Sequence, residues 1–347
     1  MKLLVTGASG FLGKYVVASA LRCGFQVRAA IRHTSNEKRL PWRNSSNLEL
    51  IRIDLTQPEG LKDALKDIDS VVHLAAAKQG NYDTQYANTV TATENLLKAM
   101  VAANLKRLVA ISTFSVFDYL HIPDGAIVNE DSPMESQPLH RDVYAQTKLI
   151  QESLFRDFEQ SFQGEVTIIR PGIVYGRNNL WNAHLGVNVK NRLWIRIGGN
   201  AQLPLTYVEN CASAIVSALL RQEAIGKTLN IVDNDLPTQK VYTEKIVRLL
   251  PRHPSTIGIN WKIMRLLSQS AWLSNKVLFL GKMKLPGIFV PARLEARFKP
   301  FRYSNQNAQQ ILNWQPLYSL DEALQRSCSD VDLLSDSCRS HFRKFLK

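Results

Sequence analysis

Apolar positions along the first two thirds of this chain follow two alternating rhythms. Short apolar runs at residues 3–5, 26–31, 48–53, 70–73, 107–111 and 166–169 read as buried strands. Between them, stretches around 11–20, 59–66, 83–103 and 143–162 repeat apolar residues every three or four positions, the spacing of a helix with one buried face. Strands alternating with helices predict an α/β protein with a parallel sheet covered on both faces. Past Arg170-Pro171-Gly172 the alternation loosens. Runs at 205–208 and 229–232 predict strands returning to the main sheet or its edge, around a helix at 210–221. The expected division is a nucleotide-binding part, 1–172 with 205–233, and a smaller discontinuous C-terminal substrate lobe, 173–204 with 234–325. A polar tail, 326–347, follows.

The opening stretch organises this plan. Leu3 to Val5 ends at Thr6-Gly7, and an apolar-periodic segment begins at Phe11 and Leu12. Strand, glycine turn and helix N-terminus together form the arrangement that takes a dinucleotide pyrophosphate. Gly7 allows the turn, Gly10 lets backbone approach phosphate, and Gly13 lets the helix lie close to the sheet. The free N–H groups of the first helical turn, beside Ser9, then face an anion.

A chain of 347 residues, 45% hydrophobic and 21% charged, has an ordinary globular composition and room for two lobes. Four cysteines (Cys23, Cys211, Cys328, Cys338) show no metal-ligand spacing, so reduced thiols and no metal are expected. Met1-Lys2 leads straight into a strand without a cleavage-site pattern, and no apolar run is long enough to span a bilayer. A cytoplasmic protein is the expectation. The net charge of +13 is concentrated: between Lys240 and Arg302 stand thirteen basic residues, Arg252 among them, against Glu244 and Glu295 alone.

Taken together, TGASGFLG (6–13), DL (54–55), HLAA (73–76), STFSV (112–116), YAQTK (144–148), RPGIVYG (170–176) and YVENCASAI (207–215) resemble the extended short-chain dehydrogenase/reductase family. That group contains nucleotide-sugar epimerases and dehydratases, dihydroflavonol reductases and 3β-hydroxysteroid dehydrogenases. The resemblance covers about residues 1–320. It implies a Rossmann-type doubly wound sheet, a nicotinamide cofactor and a homodimer joined through the tyrosine helices.

Tyr144 and Lys148 are four apart on a predicted helix and share a face. A phenol with a pKa of about 10 must fall by about two to three pH units to act as a base near neutrality, roughly 3–4 kcal/mol. An ammonium about 5 Å away at an effective dielectric of about 20 supplies roughly 3 kcal/mol. The pair can therefore move a proton without a histidine, and both residues are expected to bind the cofactor as well, Lys148 at the nicotinamide ribose. Standing alone, the spacing would be explained more plainly by a surface helix with a chance Tyr and Lys; after a complete set of nucleotide-binding strands the catalytic pair is the preferred reading. In the family motif the hydroxyl three residues before the valine is catalytic, which implies Thr113; Ser112 and Ser115 compete for the role, and each can instead bond backbone at a strand end.

Asp54 and Leu55 correspond to the position that meets adenine, although an Asp after a strand is equally natural as a cap. Leu74, Ala75 and Ala76 would lie against the cofactor, or simply pack closely. Pro171 and Ile173 line the same expected site. An acidic residue at the end of the second strand would bond ribose hydroxyls; this chain has Arg32-His33, with Lys38 and Arg39 nearby. A guanidinium pairs with a 2′-phosphate, favouring NADP(H) over NAD(H), unless Arg32 only stacks on adenine.

Two positions depart from the family pattern. The Asn-Val-x-Gly-Thr-x-Asn-Leu helix has Thr89 and Ala92 at its first and fourth places, with Asn88 displaced by one. Ile173 stands where nucleotide-sugar enzymes carry Asn in RxxNxxG. The reading is an NADP(H)-preferring oxidoreductase acting on a small-molecule secondary alcohol or ketone, with a tilt towards a lipophilic one. Its rivals are an NAD-retaining sugar-nucleotide epimerase or dehydratase and a non-catalytic cofactor-binding regulator. From Trp261 to Arg302, aromatics interleave with cations. The pattern fits peripheral contact with an anionic membrane, a basic mouth for a phosphorylated substrate, or a solvated face. No nucleic-acid module accompanies it.

Overall fold

The apolar runs become strands buried on both sides of a sheet, except Leu48–Arg52, an edge strand whose residues are all half-buried or exposed. The computed structural model describes residues 1–181, 183–189, 193–249, 255–329 and 331–335. Seven strands form one parallel sheet in the order Lys227–Ile231, Glu165–Pro171, Arg107–Ile111, Ser70–His73, Lys2–Thr6, Gln26–Ile31, Leu48–Arg52. The order reverses beside Lys2–Thr6, between it and Ser70–His73. In such sheets that reversal opens the ligand crevice at the C-terminal strand ends. Helices Phe11–Arg22 and Val208–Leu220 cover one face, their Val16, Ala20, Ala212 and Ile215 fully buried. Helices Ala92–Ala102 and Val143–Phe162 cover the other through Leu96, Met100, Phe155 and Phe158.

Several expectations need correction. The strand Leu205–Tyr207 does not rejoin the main sheet; it pairs with Ile173–Tyr175 in a separate two-stranded ladder. Only Lys227–Ile231 returns, at the edge. The helix expected at 59–66 is a single turn, Leu61–Ala64, because Gly60 enters it at φ +77°. The helix expected at 83–103 contains a π-turn, Ala87–Thr91, between Tyr82–Tyr86 and Ala92–Ala102.

The C-terminal division also differs. Helices Gln306–Leu312 and Leu320–Cys328 place Ala308, Leu312, Ala323 and Leu324 in the same core as Val16 and Ala212. The expected 325/326 boundary falls inside the second of these helices. Beyond it, buried Asp332 accepts from Tyr15 Oη at 2.8 Å and pairs with Arg177 Nε at 2.9 Å. Residues 306–329 and 331–335 thus lie on the nucleotide half. Residues 336–347, Cys338 and Arg252 lie outside the described residues.

What remains of the second lobe has its own small core. It comprises Ile197 from the strand Leu193–Ile197, Trp261 and Met264 from the helix Trp261–Leu278, and Leu294 and Phe298 from the helix Pro291–Phe298. Among the described residues the cysteines Cys23, Cys211 and Cys328 are free thiols. No group of three or more His, Cys, Asp or Glu among them is placed to hold a metal.

Candidate active site

The glycine turn is held by backbone contacts that leave no room for side chains. Gly7 has φ +68°, and a Cβ there would sit 3.0 Å from the Ala75 nitrogen and the Leu74 carbonyl carbon. At Gly13 it would stand 2.2 Å from the Gly7 oxygen. Helix Phe11–Arg22 starts after Gly10 with no side-chain cap and no acidic residue in its first turn. Its leading N–H groups are therefore available to an anion, which is the fit a dinucleotide pyrophosphate requires. Gly13→Ala should weaken dinucleotide binding by about 5- to 150-fold, the cost of forcing about 1–3 kcal/mol of overpacking into that turn. Titration calorimetry of the variant measures it, and affinity equal to the parent's refutes this account of the turn.

A directed hydrogen-bond chain joins this turn to the tyrosine helix. Burial, and then the Lys148 charge, push the His73 pKa down to about 3, so the imidazole is neutral. Thr93 donates its hydroxyl proton to the Thr89 carbonyl at 2.6 Å. His73 Nε2–H must then donate to Thr93 Oγ1 at 2.9 Å, and Nδ1 accepts from Thr6 Oγ1 at 2.7 Å. Gln151 Nε2 donates to the same Thr93 oxygen at 2.8 Å and to the Ala75 carbonyl at 3.3 Å. That leaves Gln151 Oε1 to accept from Lys148 Nζ, which also donates to the Ile111 carbonyl at 2.6 Å. Lys148 is 2% exposed. Burial lowers its pKa to about 7, with Glu152 acting against the fall and Lys78 adding to it.

The structure thus brings Lys148 to the end of the strand that carries Thr113, within one network that includes Thr6 and Ala75. Tyr144 is half-buried one turn earlier on the same helix, whose N-cap Asp142 accepts from Ala145 N at 3.0 Å. Lys78 Nζ stands 6.0 Å from the Tyr144 ring centre. A second cation, Lys78, therefore lies over the Tyr144 ring, where the sequence reading named Lys148 alone.

The three candidate hydroxyls are sorted by their partners. Ser112 Oγ is committed to the buried Glu152 carboxylate. Thr113 Oγ1 accepts from Ser115 N at 3.2 Å, opening the short turn Phe114–Val116, and lies 3.4 Å from Ser115 Oγ. Thr113 and Ser115 remain the pair at the sheet edge.

Asp54 Oδ1 accepts from Thr56 N and Thr56 Oγ1 at 3.0 and 2.9 Å, so its carboxylate closes a turn. The Leu55 carbonyl accepts from Asn95 at 3.1 Å. Arg32 is exposed at the end of Gln26–Ile31, and Ser9 Oγ lies 3.1 Å from Ser35 Oγ in the loop that follows it. Pro171 is buried and Ile173 N donates to the Pro204 carbonyl at 2.6 Å. A Cβ on Gly176 would lie 3.2 Å from the Phe11 ring, so the RPGIVYG segment reaches the glycine-turn helix.

The π-turn explains the displaced Asn88. Its extra residue turns Asn88 out to bond the Thr84 carbonyl at 2.9 Å, while buried Thr89 accepts from Ala77 N at 3.0 Å. The hydroxyl of Thr89 takes the inward place, and no carboxamide from this helix enters the network. Sequence reading missed Lys78, His73, Thr93, Gln151 and Glu152. Gln151 and Glu152 carried a signal, since they fall three and four residues after Lys148 on the same helix.

Comparison with known proteins agrees with this geometry. The model of the NAD dependent epimerase/dehydratase family matches residues 3–232. The chain belongs to this family. It is an NAD(P)-dependent enzyme of the extended short-chain type. It is 24% identical over 345 residues to mouse (Mus musculus) sterol-4-alpha-carboxylate 3-dehydrogenase, decarboxylating, covering 94% of this chain and 90% of that one. It is 26% identical over 344 residues to 2-alkyl-3-oxoalkanoate reductase of Shewanella oneidensis, covering 93% and 84%. UDP-glucuronic acid 4-epimerase from Bacillus cereus, solved with NAD, shares the fold with a TM-score of 0.70 at 22% identity, over 94% of this chain and 97% of that one.

Proposed function

We propose that the protein is an NADP(H)-preferring oxidoreductase of a lipophilic secondary alcohol or ketone, cytoplasmic and peripheral to membranes. The observation that carries the proposal is the placement of buried Lys148, tied to the Ile111 carbonyl and through Gln151 to Ala75 and the glycine turn. The turn residues Gly7, Ser9, Gly10, Phe11, Leu12 and Gly13 would hold the pyrophosphate and Arg32 the 2′-phosphate. Asp54 and Leu55 would border the adenine, with Leu74, Ala75, Ala76, Pro171 and Ile173 along the nicotinamide half. When bound, the nicotinamide supplies the hydride acceptor or donor.

The chain's own residues handle the proton. Tyr144 Oη takes the proton of the alcohol in oxidation and returns it in reduction. Lys148 would hold the nicotinamide ribose. Thr113 bonds the reacting oxygen. The alcohol and ketone reading is supported by the relatives, one named as a sterol carboxylate dehydrogenase and the other as an oxoalkanoate reductase. Ile173 in place of Asn favours it over a sugar-nucleotide epimerase. The epimerase reading is favoured by the fold likeness to the Bacillus cereus enzyme, and tightly retained NAD on purification would support it.

The test of cofactor choice is direct. Arg32→Ala should raise the NADPH Kd about tenfold, the worth of one partly exposed charged hydrogen bond, and leave the NADH Kd unchanged. Equal effects on both would remove Arg32 from the phosphate site. A pH dependence follows from Lys148. Bound ribose hydroxyls accept from the charged ammonium, and the free enzyme holds that charge only below about pH 7. Dinucleotide affinity should be flat below pH 7 and fall as pH rises above it, by up to about tenfold per pH unit. Lys148→Met should flatten the profile; an unchanged slope in that variant assigns the titration elsewhere.

A further inference from the structure

The helix Trp261–Leu278 has two apolar faces pointing in opposite directions. One faces inward: Trp261 and Met264 join the lobe core, with Ser268 and Asn275 buried along the same side. The other faces solvent. Ile263, Leu266, Leu267, Leu273, Val277 and Leu278 recur at helical spacing and are 50–71% exposed. The turn after the helix adds Phe279, Leu280 and Met283 at 49%, 78% and 46%. Soluble surfaces scatter large apolar side chains singly, and nine in one continuous segment mark a binding surface.

The charge beside this face has one sign. Lys262, Lys276, Lys282 and Lys284 are exposed, and residues 260–294 contain no Asp or Glu. Arg265 is different: it turns inward to Glu295 and Asp124 at 3.1 and 3.3 Å. We propose that this face docks on the surface of an anionic lipid bilayer. Its leucines would enter the headgroup and acyl boundary while the lysines meet lipid phosphates and carboxylates.

Two features favour a bilayer over a second copy of the chain. Self-association through this face would bring the four lysines of each copy together, with no acidic residue in the segment to offset them. The surface is also a convex helix face rather than a groove that accepts a partner's side chains. An amphipathic helix with a lysine margin lies in the interface plane. No helix among the described residues is long and apolar enough to cross a membrane, so the contact is peripheral.

Docking has a consequence for catalysis, and this part rests on the lipophilic-substrate reading. The Trp272 ring meets the His140 ring at 6.1 Å, and Arg293 donates to the Arg141 carbonyl at 3.2 Å. The docking lobe is therefore braced on the segment that leads into the Tyr144 helix. A chain seated on lipid holds its site close to where a lipophilic alcohol or ketone dissolves.

The experiment is co-sedimentation of the full chain with vesicles of phosphatidylcholine alone and of phosphatidylcholine with phosphatidylserine, at low and high salt. The expected result is binding to the anionic vesicles that weakens with salt. Leu266→Gln/Leu273→Gln/Val277→Gln should lower it by about tenfold or more, because the apolar contribution is lost. That variant should melt like the parent and turn over a water-soluble alcohol equally well, since its altered side chains are exposed. Lys276→Gln/Lys282→Gln/Lys284→Gln should lose the preference for anionic vesicles. Absence of binding to both vesicles overturns the proposal, as does binding that the triple leucine and valine variant retains in full. A lipid-independent dimer that the same variant dissolves would assign the face to self-association instead. Tyr144→Phe should bind vesicles like the parent, so a failed docking result and a failed catalytic reading are told apart.

Discussion

Tyr144→Phe should lower kcat by about 10²- to 10⁴-fold, the usual worth of a positioned proton-transfer group. The NADP(H) Kd should move far less than kcat, because the glycine turn and Lys148 still hold the nucleotide when the proton-carrying oxygen is lost. The physical reason lies in what surrounds the ring. Lys78 stands 6.0 Å from its centre, and Lys148 is anchored one turn along the same helix. The phenol oxygen is the proposed carrier of the proton, and it is the atom that the variant removes. The helix itself should persist, since its cap at Asp142 and its buried Phe155 and Phe158 are untouched. Steady-state turnover beside calorimetric cofactor binding measures both quantities. A kcat within about threefold of the parent would assign the proton transfer to another group.

Glu152→Ala should remove about 3–5 kcal/mol of stability, the usual effect of leaving a buried charge without its partner. The carboxylate is fully buried and receives Arg170 through two bonds, Oε1 at 2.5 Å and Oε2 at 3.2 Å. Arg156 donates to it at 2.8 Å, and Ser112 donates as well. Burial alone would raise its pKa; the bonds and charge of Arg170, with Ser112 and Arg156, outweigh that and hold it below the usual carboxylate range. Arg170 lies over the Phe117 ring at 4.9 Å, so it would remain inside, charged, with only the Glu130 carbonyl and the Met134 sulfur as hydrogen-bond partners. For a chain of 347 residues the loss corresponds to a fall of about 4–7 °C in melting temperature. Glu152→Leu combined with Arg170→Met should recover most of it, because the pair's desolvation cost disappears with both charges. Scanning calorimetry of the single and double variants decides this. A single variant that melts within about 1 °C of the parent would contradict the assignment.

The parts of this structure that were legible in the sequence are those that local chemistry determines. Gln26–Ile31, Ser70–His73, Arg107–Ile111 and Val143–Phe162 have the bounds that periodicity predicts. Each is long and regular, or ends at a turn or a capping residue such as Asp142. Tyr144, Lys148 and the glycines were legible because their spacing is itself the signal. What sequence did not reveal depends on partners far along the chain. Glu152 looks like any helical glutamate until Arg170 and Ser112 fold onto it. Leu205–Tyr207 has a strand's composition, yet whether it joins the main sheet depends on where Ile173–Tyr175 turns. The π-turn at Ala87–Thr91 leaves no mark in apolar periodicity beyond Asn88 falling one place out of step. The helices Gln306–Leu312 and Leu320–Cys328 are ordinary amphipathic segments, and only packing reveals that their apolar faces meet Val16 and Ala212. In the same way, the sequence showed aromatics interleaved with cations across 261–302 without showing which residues remain in solvent.

The central claim is that the glycine turn and the Tyr144–Lys148 pair serve one nucleotide. A crystal structure of the protein with NADP⁺ tests it most directly. The account predicts the pyrophosphate over the N–H groups that follow Gly10, Lys148 Nζ bonded to the nicotinamide ribose, and the Tyr144 oxygen on the side of the reactive ring carbon. A dinucleotide seated on the turn with its nicotinamide directed away from Tyr144 would contradict it.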